Sequence, residues 1–345
     1  MEQYRLSLIF WETTQKCNLA CSHCRMETAE ALNELDTEQA KYLVDSIAEF
    51  ATPILVLSGG EPLERPDIFE IATYAQKNNI KTAMATNGTL IDDKTAFKIK
   101  KSGIRRVSIS IDSPEANKHD KFRNTQGAFL AAMNGLNILV NNKISTQINV
   151  TLTKSNIKQL ENMIKLSIEN KADAIHLFLV VPVGCGKYID EEEKLSPSEY
   201  EAVLKKIFDL SKRYKDEIFI KVTCAPQYYR ILMNEAPQEF EKNARGMQRI
   251  SKGCLAGTGV CFISSTGEVY PCGYLPVSAG NILKTDLKDI WKNSETFQRL
   301  RNTDNLEDNC RICNYNSVCG GCRARAYFSS DGNYMASDIN CILNG

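Results

Sequence analysis

Three cysteines within eight residues, Cys17, Cys21 and Cys24, constrain this chain more than any other stretch. They stand at CxxxCxxC spacing directly after an apolar run, residues 5–11, that reads as a strand. Thiolates are preferred ligands of iron–sulfur clusters and of zinc. Three of them leave one corner of a four-iron cluster without a protein ligand. An open metal position marks a reactive site, whereas structural sites are closed. Taken alone, the stretch also fits a zinc knuckle or a ferredoxin-like site.

The rest of the composition narrows the setting. Thirteen cysteines in 345 residues, with no apolar leader after Met1-Glu2-Gln3-Tyr4-Arg5, point to metal binding in a reducing cytoplasm rather than to disulfides. The longest apolar run, residues 177–183, is broken by Pro182 and is far too short to cross a bilayer. Formal net charge is zero, so neither a nucleic-acid nor a membrane partner is expected.

The first half of the chain alternates short apolar runs with helical segments. Strands are predicted over residues 5–11, 54–57, 81–85, 106–111, 147–152 and 174–181. Helices are predicted over 66–76, 92–101, 127–140 and 156–169, and another opens at Asp36 with Gln39 three residues on, an N-cap pattern. Strands separated by helices imply parallel βαβ units. Six such units make an open, partial (β/α)6 barrel of the α/β class, with function at the C-terminal ends of the strands. Ser58-Gly59-Gly60-Glu61-Pro62 stands at one such end. Its glycines permit close backbone approach to a ligand, and Glu61 can accept from an ammonium. Ser110 and Asp112 share a face at the end of the fourth strand. His23 and His176 read as packing residues rather than ligands.

Three segments are expected: residues 1–190 as the barrel, 191–250 as a linker or bridging region opening on the charged run Glu191-Glu192-Glu193, and 251–345 as a cysteine-rich domain. The bridging region carries one helix, 197–214, and a strand, 219–223. A hairpin is predicted to turn at Thr266-Gly267, and a helix at 287–300. Eight cysteines follow Gly253: Cys254, Cys261, Cys272, Cys310, Cys313, Cys319, Cys322 and Cys341. They suffice for two four-thiolate sites, of iron–sulfur clusters or of zinc. Two cysteines remain, Cys185 and Cys224, both near the expected mouth of the barrel. They are candidate catalytic thiols, or small buried hydrophobes.

The cysteine loop followed by Gly59-Gly60-Glu61-Pro62 resembles the radical S-adenosylmethionine (SAM) enzymes. The resemblance implies that SAM chelates the open iron, and that one electron from the cluster splits the sulfonium to yield a 5′-deoxyadenosyl radical. It also implies that Gly59, Gly60, Glu61 and Pro62 bind the amino group of SAM, Ser110 and Asp112 its ribose, and Arg123 its carboxylate, a task suited to a planar guanidinium. Cys254-x12-Gly267-x4-Cys272, the later quartet and Cys341 resemble the SPASM extension of these enzymes. One gap departs from it: Gly320-Gly321 gives two residues where three are common. By resemblance, Cys254, Cys261, Cys272 and Cys322 hold one auxiliary 4Fe–4S cluster, and Cys310, Cys313, Cys319 and Cys341 the other.

Several stretches narrow the resemblance: Trp11-Glu12-Thr13-Thr14, Cys24-Arg25, Thr223-Cys224-Ala225-Pro226-Gln227-Tyr228-Tyr229-Arg230, Pro271-Cys272-Gly273-Tyr274 and Cys319-Gly320-Gly321-Cys322-Arg323-Ala324-Arg325. They look like enzymes of the alternative, sirohaem-dependent haem pathway. That implies an iron tetrapyrrole substrate and a low-potential electron donor, a ferredoxin or flavodoxin. Two reactions stay open: oxidative decarboxylation of two propionates of Fe-coproporphyrin III to vinyls, and removal of acetates from didecarboxysirohaem. Peptide or protein modification of the sulfatase-maturase kind is a third, although Cys17 comes so early that a preceding peptide-recognition domain is not expected. A substrate rich in carboxylates needs cations, and Arg25, Arg230, Arg323 and Arg325 are the candidates.

Overall fold

In the computed structural model, which describes residues 4–26, 33–189, 193–245 and 252–344, one sheet organises the chain. Its strands are β1 (Leu8–Glu12), β2 (Ile54–Ser58), β3 (Lys81–Thr86), β4 (Ile104–Ser110), β5 (Ser145–Leu152), β6 (Ala174–Leu179), β7 (Phe219–Thr223), β8 (Val260–Ile263), β9 (Glu268–Tyr270) and β10 (Gly280–Asn281). They lie in the order β10-β9-β8-β1-β2-β3-β4-β5-β6-β7. Every pair from β1 to β7 is parallel, and β8 joins the other side of β1, also in parallel. The predicted hairpin forms, with β8 and β9 antiparallel and Gly267 at φ +84° in its turn.

Side-chain alternation sets the two faces. Ile9, Trp11, Leu55, Leu57, Val107, Ile109, Ile148, Val150, Ile175, Leu177 and Val222 are buried in one core with the helices. The residues between them, among them Glu12, Ser58, Ser108, Ser110, Asn149, Thr151, His176 and Lys221, point to the opposite, inner face. A parallel sheet covered by helices on both sides would read as continuous apolar runs instead.

Caps explain where helices start. Asp36 and Gln39 form a capping box at Thr37–Phe50, and Ser196 and Glu199 form another at Pro197–Arg213. The helix predicted over 66–76 begins only at Ile68, because Pro62–Glu64 forms a 3-10 turn capped by the Glu61 side chain. The helix predicted over 287–300 is two, Leu287–Asn293 and Glu295–Arg301, broken at Ser294.

The region expected to be a linker contributes to the sheet. Pro197–Arg213 is the crossover helix from β6 to β7, so a seventh parallel strand follows the expected six. Glu191-Glu192 and both segment boundaries, at 190/191 and 250/251, lie outside the described residues. A second, smaller apolar cluster holds Val181, Leu275, Leu300, Leu306, Cys310, Cys322, Ala324 and Met335. Among the described residues no helix is long and apolar enough to cross a membrane.

Candidate active site

The cysteine loop leaves the C-terminal end of β1 and is pinned to the turn after β2. Thr13 donates through its N–H and its hydroxyl to the Ser58 carbonyl, at 2.8 and 2.7 Å. Gly60 N–H donates to Thr14 O and Glu61 N–H to Lys16 O, each at 2.8 Å. A Cβ on Gly59 would stand 2.4 Å from Thr14 O, and one on Gly60 2.2 Å from Lys16 O. The close approach that needs glycine here is therefore to the cysteine loop itself, which these two residues hold in place. Within the loop, Leu19 N–H donates to Cys17 Sγ at 3.4 Å and Arg123 Nη1 to Cys21 Sγ at 3.6 Å. Such donors favour a thiolate over a thiol, but burial outweighs them and raises both thiols, Cys17 to about 11.

Glu61 is fully buried. Its carboxylate accepts from Thr86 Oγ1 at 2.7 Å, Asn87 N–H at 2.8 Å and Leu63 N–H at 3.1 Å. Burial raises its pKa to about 7, against those three donors. About four lone-pair sites exist on a carboxylate, so one remains for a ligand. Pro62 is buried beside it. Asp112 and Arg123 pair with each other, Arg123 Nε to Asp112 Oδ2 at 2.7 Å, and Asp112 Oδ1 accepts from Thr151 N–H at 2.8 Å. Burial would raise the Asp112 carboxyl, but Arg123 outweighs it and the net shift is downward. His119 Nδ1 accepts from Asp112 N–H, and His23 stacks on Phe122 at 4.0 Å, the packing role expected of it.

Ser110 opens a row across the inner face. In register it meets Asn149, which meets His176, which meets Lys221. Burial drops His176 to about 3 and lowers Lys221. Among the described residues Lys221 has no hydrogen bond or ion pair, which makes it a cation ready for an anionic ligand. The sequence reading passed over it; a lone Lys between Ile220 and Val222 in an apolar strand was the available signal.

The candidate arginines mostly serve the fold. Arg325 makes two bonds to the Asp338 carboxylate, and Arg230 pairs with Glu201. Arg323 donates to the carbonyls of Tyr334 and Ala336 and to Cys310 Sγ. All three are buried, so they are spoken for internally. Arg25 is partly open, pairs with Glu12 at 2.7 Å and lies 4.5 Å from the Phe262 ring. Asp338, unnoticed in the sequence, is a hub that also accepts from Cys322 N–H and the Gln227 amide.

The thiols of the C-terminal segment divide. Cys310, Cys313, Cys319 and Cys341 line one cavity of about 240 Å³. Tyr315 N–H donates to Cys313 Sγ and Gly321 N–H to Cys319 Sγ, each at 3.4 Å. Gly320 and Gly321 have φ of +66° and +63°, which is how a two-residue gap turns the chain between Cys319 and Cys322. Cys272 packs against the small core that contains Cys322. Cys254 lines a small cavity with Gly320 and Arg323. Cys261 sits elsewhere, in the main core within β8. Of the two remaining thiols, Cys224 packs against the small core, and Cys185 donates to Met26 O at 3.2 Å.

A chain of parallel βα units, a three-thiol loop at the end of the first strand and a thiol-rich tail define a cluster-dependent class of enzyme, and comparison with known proteins agrees. Residues 11–167 match the radical SAM superfamily and residues 254–314 an iron–sulfur cluster-binding domain, SPASM. The chain is 43% identical to the AdoMet-dependent heme synthase of Methanosarcina barkeri, over 97% of this chain and 96% of that one. It is 31% identical to the Fe-coproporphyrin III synthase of the same organism, over 97% and 88%. The solved structure of native anSMEcpe with bound AdoMet superposes with a TM-score of 0.76 at 20% identity, covering 98% of this chain and 95% of that one, a likeness of fold. The chain belongs to the radical SAM enzymes that carry a SPASM domain. It is an enzyme that uses 4Fe–4S clusters and SAM, and the donor set fits them: three loop thiols, two of them, Cys17 and Cys21, with a hydrogen-bond donor to sulfur, and four thiols around a common cavity.

Proposed function

We propose that this chain oxidatively decarboxylates two propionate side chains of Fe-coproporphyrin III to vinyl groups, giving haem b. The observation that carries the reading is the end-to-end 43% identity to an AdoMet-dependent heme synthase, against 31% to an Fe-coproporphyrin III synthase. The inner face adds chemical support. Propionates are anions, and Lys221 offers an uncompensated cation in a row with Ser110, Asn149 and His176. Burial has lowered the pKa of that amine, and a carboxylate beside it restores the charged form.

When bound, the cluster and SAM supply a 5′-deoxyadenosyl radical, which takes a hydrogen atom from an unactivated carbon. Cys17, Cys21 and Cys24 hold the iron. Gly59 and Gly60 fix the loop that carries them, and Glu61 presents its free lone pair to an amino group. Asp112 holds the Arg123 guanidinium beside Cys21, where it would pair with the carboxylate of bound SAM. Lys221 anchors a propionate. Each propionate becomes a vinyl by losing carbon dioxide, one hydrogen atom, which would go to the radical that bound SAM supplies, and one electron, which an auxiliary cluster held by the C-terminal thiols would accept. The chain works in the cytoplasm with a ferredoxin or flavodoxin as donor.

The test is anaerobic incubation of the reconstituted enzyme with Fe-coproporphyrin III, SAM and a low-potential reductant, read by mass. Loss of carbon dioxide plus two hydrogens per propionate, through a monovinyl intermediate, supports the reading. An unchanged porphyrin, with acetate loss from didecarboxysirohaem instead, overturns it in favour of the deacetylase reaction. If neither tetrapyrrole changes while a peptide substrate does, the tetrapyrrole reading falls altogether.

A further inference from the structure

Cysteine counting leaves two thiols over, Cys185 and Cys224, while the fold buries a third, Cys261, in the main core. Cys261 lies in the middle of β8, opposite Ile9 in parallel register, with no exposed surface. Side chains two apart in a strand share a face. Cys261 thus points with Ile263, Ile9 and Trp11 into the core shared with the helices, away from the inner face that Phe262 joins.

Cys224 is in the opposite position. It follows β7 directly and packs into the small core together with Cys272, near Cys322. Its backbone has φ +59°, a left-handed conformation uncommon for a residue with a Cβ. That conformation is clamped: the Cys224 carbonyl accepts from Arg325 Nη1 at 2.6 Å and from Tyr200 Oη at 3.2 Å. Arg325 lies in the helix Arg323–Ser329, which Cys322 caps, and Asp338 ties Arg325, Cys322 N–H and Gln227 together. Cys254 is held against the same segment. A Cβ on Gly253 would lie 2.6 Å from both Cα and O of Pro226, and Gly253 N–H is fixed to Val318 O at 2.6 Å. Strained backbone held by surrounding bonds is a mark of functional sites.

We propose that Cys224 joins Cys254, Cys272 and Cys322 as the fourth thiolate of an auxiliary iron–sulfur cluster, and that Cys261 is a core residue outside it. Cys224 and Cys272 pack against the same small core that contains Cys322, and Gly253 seats Cys254 against Pro226, two residues after Cys224. Four thiolates close the site, leaving no iron open to substrate. The grouping rests on cluster binding and is independent of which substrate the enzyme takes.

The test compares anaerobically reconstituted full-length wild type with Cys224→Ala, Cys224→Ser, Cys272→Ala and Cys261→Ala. The readouts are iron and sulfide content and the electron paramagnetic resonance of the reduced protein. Cys224→Ala and Cys272→Ala are expected to lose the same cluster: iron falls by about four per chain, or the same signal converts to a three-iron form. Cys224→Ser, which keeps the side-chain volume, shifts that signal through oxygen ligation even if the alanine variant folds poorly. Cys261→Ala keeps full iron and an unchanged spectrum. Wild-type iron and an unshifted spectrum in both Cys224 variants overturn the proposal, as does loss of that cluster in Cys261→Ala.

Discussion

Asp338→Asn tests whether the C-terminal thiol framework depends on one buried charge. Asp338 has no exposed surface and takes Arg325 Nε at 2.9 Å, Arg325 Nη2 at 2.8 Å, Cys322 N–H at 2.7 Å and Gln227 Nε2 at 2.8 Å. Burial by itself would raise this carboxyl, but Arg325 and the other donors outweigh it and bring it down to about 2 from an ordinary 3.8. A carboxyl depressed on folding adds stability above its ordinary value and loses it as pH falls through the folded one. The depression corresponds to about 2 kcal/mol, all of it present at neutral pH. Asparagine keeps the shape and one acceptor oxygen. Its amide protons, however, face Arg325, whose buried charge then lacks a partner. Broken buried pairs cost roughly 3–5 kcal/mol, so about 2–5 kcal/mol is expected.

The assay is the thermal midpoint of the anaerobic holoenzyme at one scan rate, since unfolding with loss of clusters is irreversible. At roughly 2 °C per kcal/mol for a chain of this size, the midpoint falls by about 4–10 °C. The difference from wild type is flat between pH 6 and 9, because the carboxyl titrates far below that window. Adding Arg325→Gln to Asp338→Asn costs less than the two single changes summed, by up to roughly 3 kcal/mol. A midpoint unchanged to within about 1 °C, or strict additivity of the pair, refutes the claim that this ion pair supports the fold.

Other perturbations read the remaining parts. Changing Cys17, Cys21 and Cys24 together to Ala abolishes SAM cleavage and removes one four-iron cluster, measured by iron content. Glu61→Gln weakens SAM binding about tenfold to a hundredfold, the worth of one charge-assisted hydrogen bond at roughly 1.5–3 kcal/mol. In the SAM-free protein, Glu61 is raised to about 7 by burial, so stability it supplies below its ordinary value is lost as pH rises through 7. Wild type should therefore lose more thermal stability than Glu61→Gln between pH 6 and 8, and equal losses would count against a buried, titrating Glu61. Lys221→Met raises KM for a propionate-bearing porphyrin while SAM cleavage without substrate stays at wild-type level; an unchanged KM removes Lys221 from the substrate site.

What could be read from the sequence follows from which physical signals are local. Strands β1 to β6 show as short apolar runs, β4 with a plain alternation of apolar and serine residues, and the Asp36 cap shows because a capping box spans four residues. The CxxxCxxC loop and the Gly59-Gly60 turn show because both are contiguous. β7 was legible as a strand but not as part of the barrel sheet, since its partner β6 lies forty residues earlier across a charged stretch. Arg230, Arg323 and Arg325 show their charge in the sequence but not their partners, Glu201, the Tyr334 and Ala336 carbonyls, and Asp338. Val260 to Ile263 are all buried, so alternation could not reveal which face Cys261 takes.

Parallel pairing of β8 with β1 is the feature that joins the two cysteine-bearing parts. Glu12, the last residue of β1, pairs with Arg25, the residue after Cys24. Arg25 lies over Phe262 of β8, and its Cδ is within 3.8 Å of where a Cβ on Gly273 would stand, the residue after Cys272. One arginine therefore touches the strand before the first cysteine loop, the loop itself, and the hairpin that leads to Cys272. A flexible linker would leave the separation of two metal-bearing domains free to vary. Here a backbone ladder and a partly buried ion pair set it, so the cluster loop and the auxiliary thiols hold one relative position without waiting on domain motion. That rigidity suits a reaction in which a substrate carbon must meet a short-lived radical at contact distance.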